Sequence, residues 1–564
     1  MSEIGENIYK IQFELYKKLK KRLEEYEKKD SNLQKYEKKY FQEINEFERI
    51  ATKEELIAEV IHSDVVFIGD FHTLRQAQKI PQRILSKVLE NSVFQVQHKG
   101  IVLCMEAFLS EHQKYINLYL KDKIDERKFL ALIEYEKTWG QNWKHYKTLI
   151  DFAKNNGIKV FGINTFIKNS SNSLQLRDKF AIEKIAELLL DFPKHLIVVF
   201  YGDAHLTYNY IPRGLIEFMK KKFKKHINYL IIHQNSDSIY WRLAKLGLAD
   251  LVDAVYIKPK IYCIINTTPI SKLQSQINWY ENNEELRCVL HPEWCEPVES
   301  VSNLCDEVKD IVDELTSFLG IKINCDDLLV LSIHNIKDLA KVIPRKLTPQ
   351  ALKKIEEIIL KNESYYIPKQ NIIILSNYSI NHVAEEAMHY IHSKLAKFYT
   401  FDKLNPVDRF YATLVYEAIG FCGSKIINHK RKCYKIKDFY DYILYLKNRK
   451  IKDTKTAILK EATKKVIKHY EMEQLLLNRK KCKKMGKFYE MKFSLFITVT
   501  HALGYMLGDK LFQGLKNGYI DKNYFLKLLR TRIDIKGKMK KLWQELIFKL
   551  KDIKESYISK EEIL

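Results

Sequence analysis

A chain of 564 residues exceeds what one hydrophobic core usually organises, and 46% hydrophobic with 12% aromatic residues argues against wholesale disorder, so two or more folded domains are expected. The net charge of +24, from 95 Lys plus Arg against 71 Asp plus Glu, comes from lysines spread over the whole length without a nucleic-acid reader motif, so nucleic acid is not the expected partner. No run of eighteen apolar residues occurs, Met1 to Lys10 lacks the apolar core of a signal peptide, and the nine cysteines form no CxxC pair; a reducing, cytoplasmic setting with free thiols is expected.

Residues 1–50 read as a Lys/Glu-rich helical arm with a narrow stripe of Ile8, Ile11, Leu15, Leu19 and Leu23. From 51 to 280 strands alternate with helices, the pattern of an α/β domain. The apolar run Val65–Ile68 stops at Gly69-Asp70-Phe71-His72, and Leu196–Tyr201 stops at Gly202-Asp203-Ala204-His205. Between them Ile101–Met105 ends on Glu106, and Ile158–Ile163 ends on Asn164. Residues at the carboxyl ends of parallel strands converge on one crevice, so His72, Glu106 and His205 are expected to face a common space. Imidazole nitrogen and carboxylate oxygen both suit zinc, manganese or iron, which makes these three candidate metal ligands. The structural alternative is simpler: Gly serves a turn with positive φ, and Asp caps the following helix.

The helix after the first tetrad carries Ile80, Ile84, Val88 and Leu89 and is expected to break near Pro81. Segments 111–120, 125–136 and 142–155 have helical period, and their insertion between the second and third strands suggests a cap bearing Trp139, Trp143 and His145. A fifth strand is expected at Asn228–His233 and an edge hairpin within Asp253–Asn266.

GDFH, MEAF and GDAH, in that order on successive strand ends, resemble the ChaN-like haem-binding uptake proteins of the Tiki/TraB superfamily over about residues 50–245. The resemblance implies an α/β domain that binds haem in ChaN-type members and acts as a metal-dependent protease in Tiki-type members. Carried over by position, it points at His72, Glu106 and His205. The absence of a cysteine before Cys104 departs from the lipid-anchored ChaN pattern.

Polar text around 281–300 marks a domain boundary, where Cys288, His291 and Cys295, with Cys305 beyond, have spacings a small zinc site could use. Residues 300–564 are expected to be mainly helical, with strands at Leu328–Ile333 and Asn371–Leu375 and short helices at Asp338–Val342 and Pro349–Leu360. A helix after the second strand carries His382, Glu385, Glu386, His389 and His392, several of them on one face. The layout is weakly zincin-like, but Glu385 stands where the first His of His-Glu-x-x-His belongs, so the strict motif fails. Glu417 on the next helix, with His501 further on, could complete either a hydrolase-type site or a carboxylate-bridged metal pair, so His382, Glu385, Glu386, His389 and Glu417 form a second candidate metal set.

The leading functional expectation is metal-dependent hydrolysis, with His72 and His205 as ligands, Glu106 as ligand or general base, and Asp70 and Asp203 as further catalytic carboxylates. A peptide or amide substrate is implied by the Tiki-like resemblance alone. The rival is a non-catalytic haem or iron protein with an axial His, Tyr or Cys, and a third reading is a degenerate scaffold. Oligomeric state is left open.

Overall fold

The computed structural model describes residues 2–26, 31–167, 172–282, 304–332, 364–376, 379–398, 400–401, 403–447, 454–481 and 485–554. The Cys288–His291–Cys295 group and the helices expected at 338–342 and 349–360 lie outside the described residues. The chain divides into two compact units, one of residues 20–296 and one of residues 1–19 with 297–563. The amino-terminal arm is two helices, α1 (Glu3–Tyr26) and α2 (Ser31–Glu43), and the stripe residues Ile8, Ile11, Leu15, Leu19 and Leu23 are all buried.

In the first unit, an eight-stranded sheet among the described residues comprises β1 (Arg49–Ile50), β2 (Val65–Asp70), β3 (Gly100–Leu109), β4 (Lys159–Asn164), β5 (His195–Gly202), β6 (Tyr229–Gln234), β7 (Ala254–Lys258) and β8 (Ile261–Ile264). Its order is β1-β7-β8-β6-β2-β5-β3-β4. The pairs from β8 through β4 are parallel, whereas β7 pairs antiparallel with both β8 and β1, so the expected edge hairpin is present.

Parallel strands are covered by helices on both faces, which is why β2 and β5 read as continuous apolar runs rather than alternating ones. Val66, Ile68, Val198 and Phe200 join one core, with Ile80, Ile84 and the aromatic cap residues Tyr119, Phe129, Tyr135 and Trp143. Val65, Phe67, Ile197 and Val199 join the other, with Ile185, Leu215 and Met219. The central position of β5 is decisive for the site. It lies between β2 and β3, so the two polar tetrads and Glu106 come from three adjacent strands.

The helix after the first tetrad does not break at Pro81: α4 (Arg75–Leu89) follows α3 (Lys53–Ile61) and runs through the proline. A proline inside a helix removes the hydrogen bond to the carbonyl four residues back, here Ala77. That carbonyl instead accepts from the Gln234 side chain (3.2 Å), whose amide also donates to Gly69 O. Ile80, Pro81 and Ile84 are buried against the sheet, and their packing offsets the lost bond.

The second unit holds a three-stranded sheet, β9 (Leu329–Ser332), β10 (Tyr365–Ile367) and β11 (Ile372–Leu375), in the order β10-β11-β9, and otherwise helices. Among the described residues no helix is long and apolar enough to cross a membrane.

Gln234→Ala removes the donor to both Ala77 O and Gly69 O and leaves buried carbonyls unsatisfied. The first unit is expected to lose about 1–3 kcal/mol, read as a lower urea midpoint with unchanged slope.

Candidate functional site

The two tetrads place glycine where backbone and carboxylate approach closely, not where positive φ is required, since neither Gly69 nor Gly202 has positive φ. A Cβ on Gly69 would lie 1.9 Å from Asp203 Oδ1. A Cβ on Gly202 would lie 3.2 Å from Glu106 Oε2, 3.4 Å from His205 Cδ2 and 3.4 Å from His72 Cε1. His72, Glu106 and His205 therefore surround one glycine at the end of β5.

Each of the three is tied down by polar partners. His72 Nδ1 donates to Asp70 Oδ2 (2.9 Å), which leaves Nε2 facing Glu106 Oε2 at 3.8 Å. Asp70 also accepts from the Gln78 amide (2.8 Å) and the Tyr146 hydroxyl (2.7 Å), so it orients the imidazole from a fixed position. Glu106 accepts the Gly202 N–H (2.7 Å) through Oε2 and pairs with the Arg177 guanidinium through Oε1. His205 Nδ1 donates to Asp178 Oδ1 (2.6 Å), and the other Asp178 oxygen accepts from the Tyr36 hydroxyl (2.7 Å). Arg177 and Asp178 lie on α6, which follows α5 (Trp143–Asn155) and spans Ser173–Asp191.

Burial pulls the His72 pKa down, but Asp70, and more distantly Glu106, outweigh burial and the nearby Arg177 and hold it above its ordinary value. His72 keeps 33% of its side chain exposed, whereas Glu106 is buried. The Trp139 ring meets the His72 ring edge-on at 4.7 Å. Of the other cap residues, Trp143 packs among Phe108, Phe129 and Tyr135, and burial together with Arg75 pushes the His145 imidazole down to about 4. On the far side the Tyr36 ring covers His205 at 5.0 Å and stacks on Tyr210 at 3.9 Å.

Asp203, expected beside His205 as a catalytic carboxylate, faces elsewhere. It bonds His233 Nδ1 (2.6 Å) and the Tyr40 hydroxyl (2.7 Å), while His233 Nε2 meets Glu43 (3.1 Å). Asp203 thus holds α2 to β6 through a buried imidazole. Burial opposes the charge on His233, but Asp203 and Glu43 prevail and push its pKa up to about 9.

The second candidate set lies in the other unit, along α8 (Ile380–Ala396) and α9 (Pro406–Ile427), with Glu385, Glu386, His389 and Glu417 buried and His382 partly so, where α7 is the preceding helix Leu304–Leu319. Glu385 pairs with Arg431, Glu386 with His389, and Glu417 with His501 of α10 (Phe493–Lys516). His382 is neutral, its pKa drawn down to about 4 by burial and by Arg431. Among the described residues, no group of three or more His, Cys, Asp or Glu side chains stands arranged to hold a metal ion.

Sequence reasoning missed Arg177, Asp178, Tyr36, Tyr40, Glu43 and His233. Only His233 closed an expected strand, and with no Gly-Asp-x-His pattern around it nothing marked it as polar support.

Residues 56–172 match the family described as haem-binding uptake, Tiki superfamily, ChaN, which is the resemblance carried by the strand-end motifs. The match includes His72 and Glu106 and ends before Arg177, Asp178 and His205. Two solved structures are similar: ChaN of Campylobacter jejuni, described with cofacial haem binding, and the type III effector HopBA1. The first has 15% identity over 33% of this chain and 87% of that chain, with a TM-score of 0.26. The second has 12% identity over 39% of this chain and 96% of that chain, with a TM-score of 0.25. No curated protein sequence matches the chain.

Two outcomes follow from the ionisation of these pairs. Because the folded pKa of His233 is raised, its contribution is complete below the unfolded value near 6.5 and is lost as pH rises through about 9; the first unit should lose about 3 kcal/mol across that window. Denaturation at stepped pH reads this loss, and in His233→Leu the decline between pH 6.5 and 9 should shrink to the part left by His72, on a less stable background. For His72, an NMR titration should place the pKa above 6.5, and Asp70→Asn should lower it.

Proposed function

We propose that the first unit carries a hydrolytic acid–base site in which His72 is the general base. The observation that carries this reading is the Asp70–His72 pair beside Glu106. The carboxylate fixes the imidazole tautomer through Nδ1, and the exposed edge of the ring presents Nε2 to an incoming water. Neutral Nε2 would take the proton from that water as its oxygen attacks an ester or amide carbonyl. Asp70 stabilises the imidazolium so formed, which gives the proton to the departing alcohol or amine as the C–O or C–N bond breaks and so returns to its neutral form. Arg177 supplies positive charge next to the buried Glu106, and its Nε–H and the neighbouring Tyr201 hydroxyl are buried without well-formed hydrogen bonds. Such donors suit an oxygen that gains negative charge in the transition state.

A divalent ion fits this set less well. The Arg177 guanidinium already neutralises Glu106, and a second cation beside it would be repelled. No step is therefore routed through a metal, although His72 and His205, each oriented through Nδ1 by a carboxylate, have the form that metal-binding imidazoles take. The rival reading is haem binding, favoured by the family description of residues 56–172. Haem needs an axial ligand beside a flat apolar wall. Trp139 supplies an aromatic edge at His72, but the surroundings of Nε2 are Glu106 and Arg177, and His205 lies beneath Tyr36.

The test is hydrolysis of a panel of p-nitrophenyl esters and fluorogenic peptides by the full chain in the presence of a chelator. Turnover is expected to fall by about 10²–10⁴ in His72→Ala. Its acid limb should follow the raised His72 pKa and move to lower pH in Asp70→Asn. Activity that requires an added divalent ion would return the site to metal chemistry, and a Soret band on haem addition with no turnover would favour the haem reading.

A further inference from the structure

The strand-end crevice occupies the carboxyl edge of the eight-stranded sheet, and the opposite edge carries a charge that the first unit does not need for folding. Because β6, β2, β5, β3 and β4 are parallel neighbours, the turns that enter them lie side by side. Backbone bonds trace the row. Lys99 N donates to Lys194 O (2.7 Å), Ile197 N to Asp64 O (3.0 Å) and Asp64 N to Asn228 O (2.7 Å), which ties the entries to β3, β5, β2 and β6 into one line.

Exposed lysines stand along that line. Lys99 precedes β3, Lys159 opens β4, Lys194 precedes β5, and Lys224 and Lys225 come shortly before β6. The helix Ile211–Phe223 ends at the same edge and adds Lys220 and Lys222. Among the described residues none of these lysines has a carboxylate partner, and the Lys159 and Lys222 ammonium groups lie over phenylalanine rings instead. Nearby lysines are matched: Lys87 meets Glu90, Lys221 meets Glu217 and Lys260 meets Glu59. Asp64, which accepts from Asn228 N, and Asp191 at the end of α6 carry opposing charge, and the unmatched lysines outnumber them.

Lysine at a helix carboxyl end complements the dipole, which accounts for Lys220 and Lys222 without any partner. It does not account for the turns. Lys194 and Lys224 have φ of 63° and 56°, a left-handed backbone that favours glycine or asparagine, so the entries to β5 and β6 hold lysine where the backbone disfavours it. Beside them stands the short helix Ser92–Gln97, whose Val93 and Val96 are 45% and 88% exposed. Val96 lies three residues before Lys99, so an open aliphatic side chain adjoins the basic row.

An occupant of this edge has to suit both kinds of side chain. Nucleic acid would take the lysines, but unpaired bases need exposed aromatic rings to stack on, and Phe192, Phe218 and Phe223 at this edge are half-buried. The headgroup layer of an anionic bilayer suits both, since lysines meet its phosphates and carboxylates while methyl groups reach the acyl boundary. We propose that the amino edge of the sheet is a docking surface for an anionic lipid bilayer, with Lys99, Lys194, Lys224 and Lys225 against the headgroups and Val96 at the acyl boundary. Such docking is peripheral, as no described helix is long and apolar enough to cross a membrane. The eight residues of β5 span roughly 26 Å, so the crevice at His72 would face the aqueous side. The proposal does not depend on the reading of that crevice.

The experiment sediments the full chain with vesicles of phosphatidylcholine alone and of phosphatidylcholine with about 30% phosphatidylserine, and titrates poly(U) in parallel. The chain is expected on the anionic vesicles only, with its partition reduced at least tenfold between about 0.1 M and about 0.5 M salt. Each lysine removed should lower partition about fivefold, so Lys194→Glu, Lys224→Glu and Lys225→Glu together should lower it by about a hundredfold or more. Val96→Asp should lower it several-fold. The exposed cap lysines Lys128, Lys137 and Lys144 lie toward the other edge; changing all three to Glu removes the same net charge and should alter partition by less than about threefold. An unchanged thermal transition shows that a variant is folded, and the salt dependence of the wild-type chain stands without any variant. Equal losses in the two triple variants would overturn the proposal by reducing binding to overall net charge. Absence of binding to the anionic vesicles, equal binding to the neutral ones, or tighter binding of poly(U) that the first triple variant abolishes would overturn it as well.

Discussion

The carboxylate of Glu106 is buried near the strand ends, and the first unit surrounds it with polar partners. Its oxygens are met by a backbone N–H from β5 and a guanidinium from α6, with the His72 ring at its edge. An uncompensated carboxylate at this depth would cost several kcal/mol, so β5 must come close enough to donate. Gly202 permits that approach. A side chain at this position would intrude on Glu106, His72 and His205 together, and the one at Gly69 would displace Asp203.

The two tetrads look alike but serve different ends. In the first, Asp70 turns back to its own histidine, and the imidazole stays partly open to solvent. In the second, Asp203 turns to β6 and α2, and His205 takes its carboxylate from α6 instead. One Gly-Asp-x-His therefore orients a partly exposed ring, while the other divides its parts between the strand ends and the scaffold. The buried Asp203–His233–Glu43 chain carries charge without exposure, as expected of a structural network rather than a reacting one.

The second unit solves a related problem by other means. Its carboxylates and imidazoles project from helices, so the spacing of three or four residues stacks them, and small residues on the crossing helix make the space. Gly420 passes over His389 as Gly202 passes over Glu106. In both units, glycine marks close approach to a charged group.

Much of this was legible along the chain. An apolar run that stops on a polar residue reads as a buried strand delivering that residue to its carboxyl end, and β2 and β5 follow it, whereas β3 runs on past Glu106 to Leu109. Helical spacing likewise identified the polar face of α8. The edge hairpin and the cap helices were readable for the same reason, since periodicity records the burial of a single element. The uninterrupted α4 was not, because Pro81 is tolerated only through Gln234, which lies 153 positions away. Nor did the chain announce that Arg177 would pair with Glu106, that Asp178 would take His205 from Asp203, or that Tyr36 and Glu43 of the amino-terminal arm would enter the networks of the strand ends. Those partners come from elements remote in sequence. Residue pattern determined which groups would be buried and at which end of which strand; only the packing of α2 and α6 on the sheet decided which opposite charge each would meet, because electrostatic pairing in a buried site depends on distance in space.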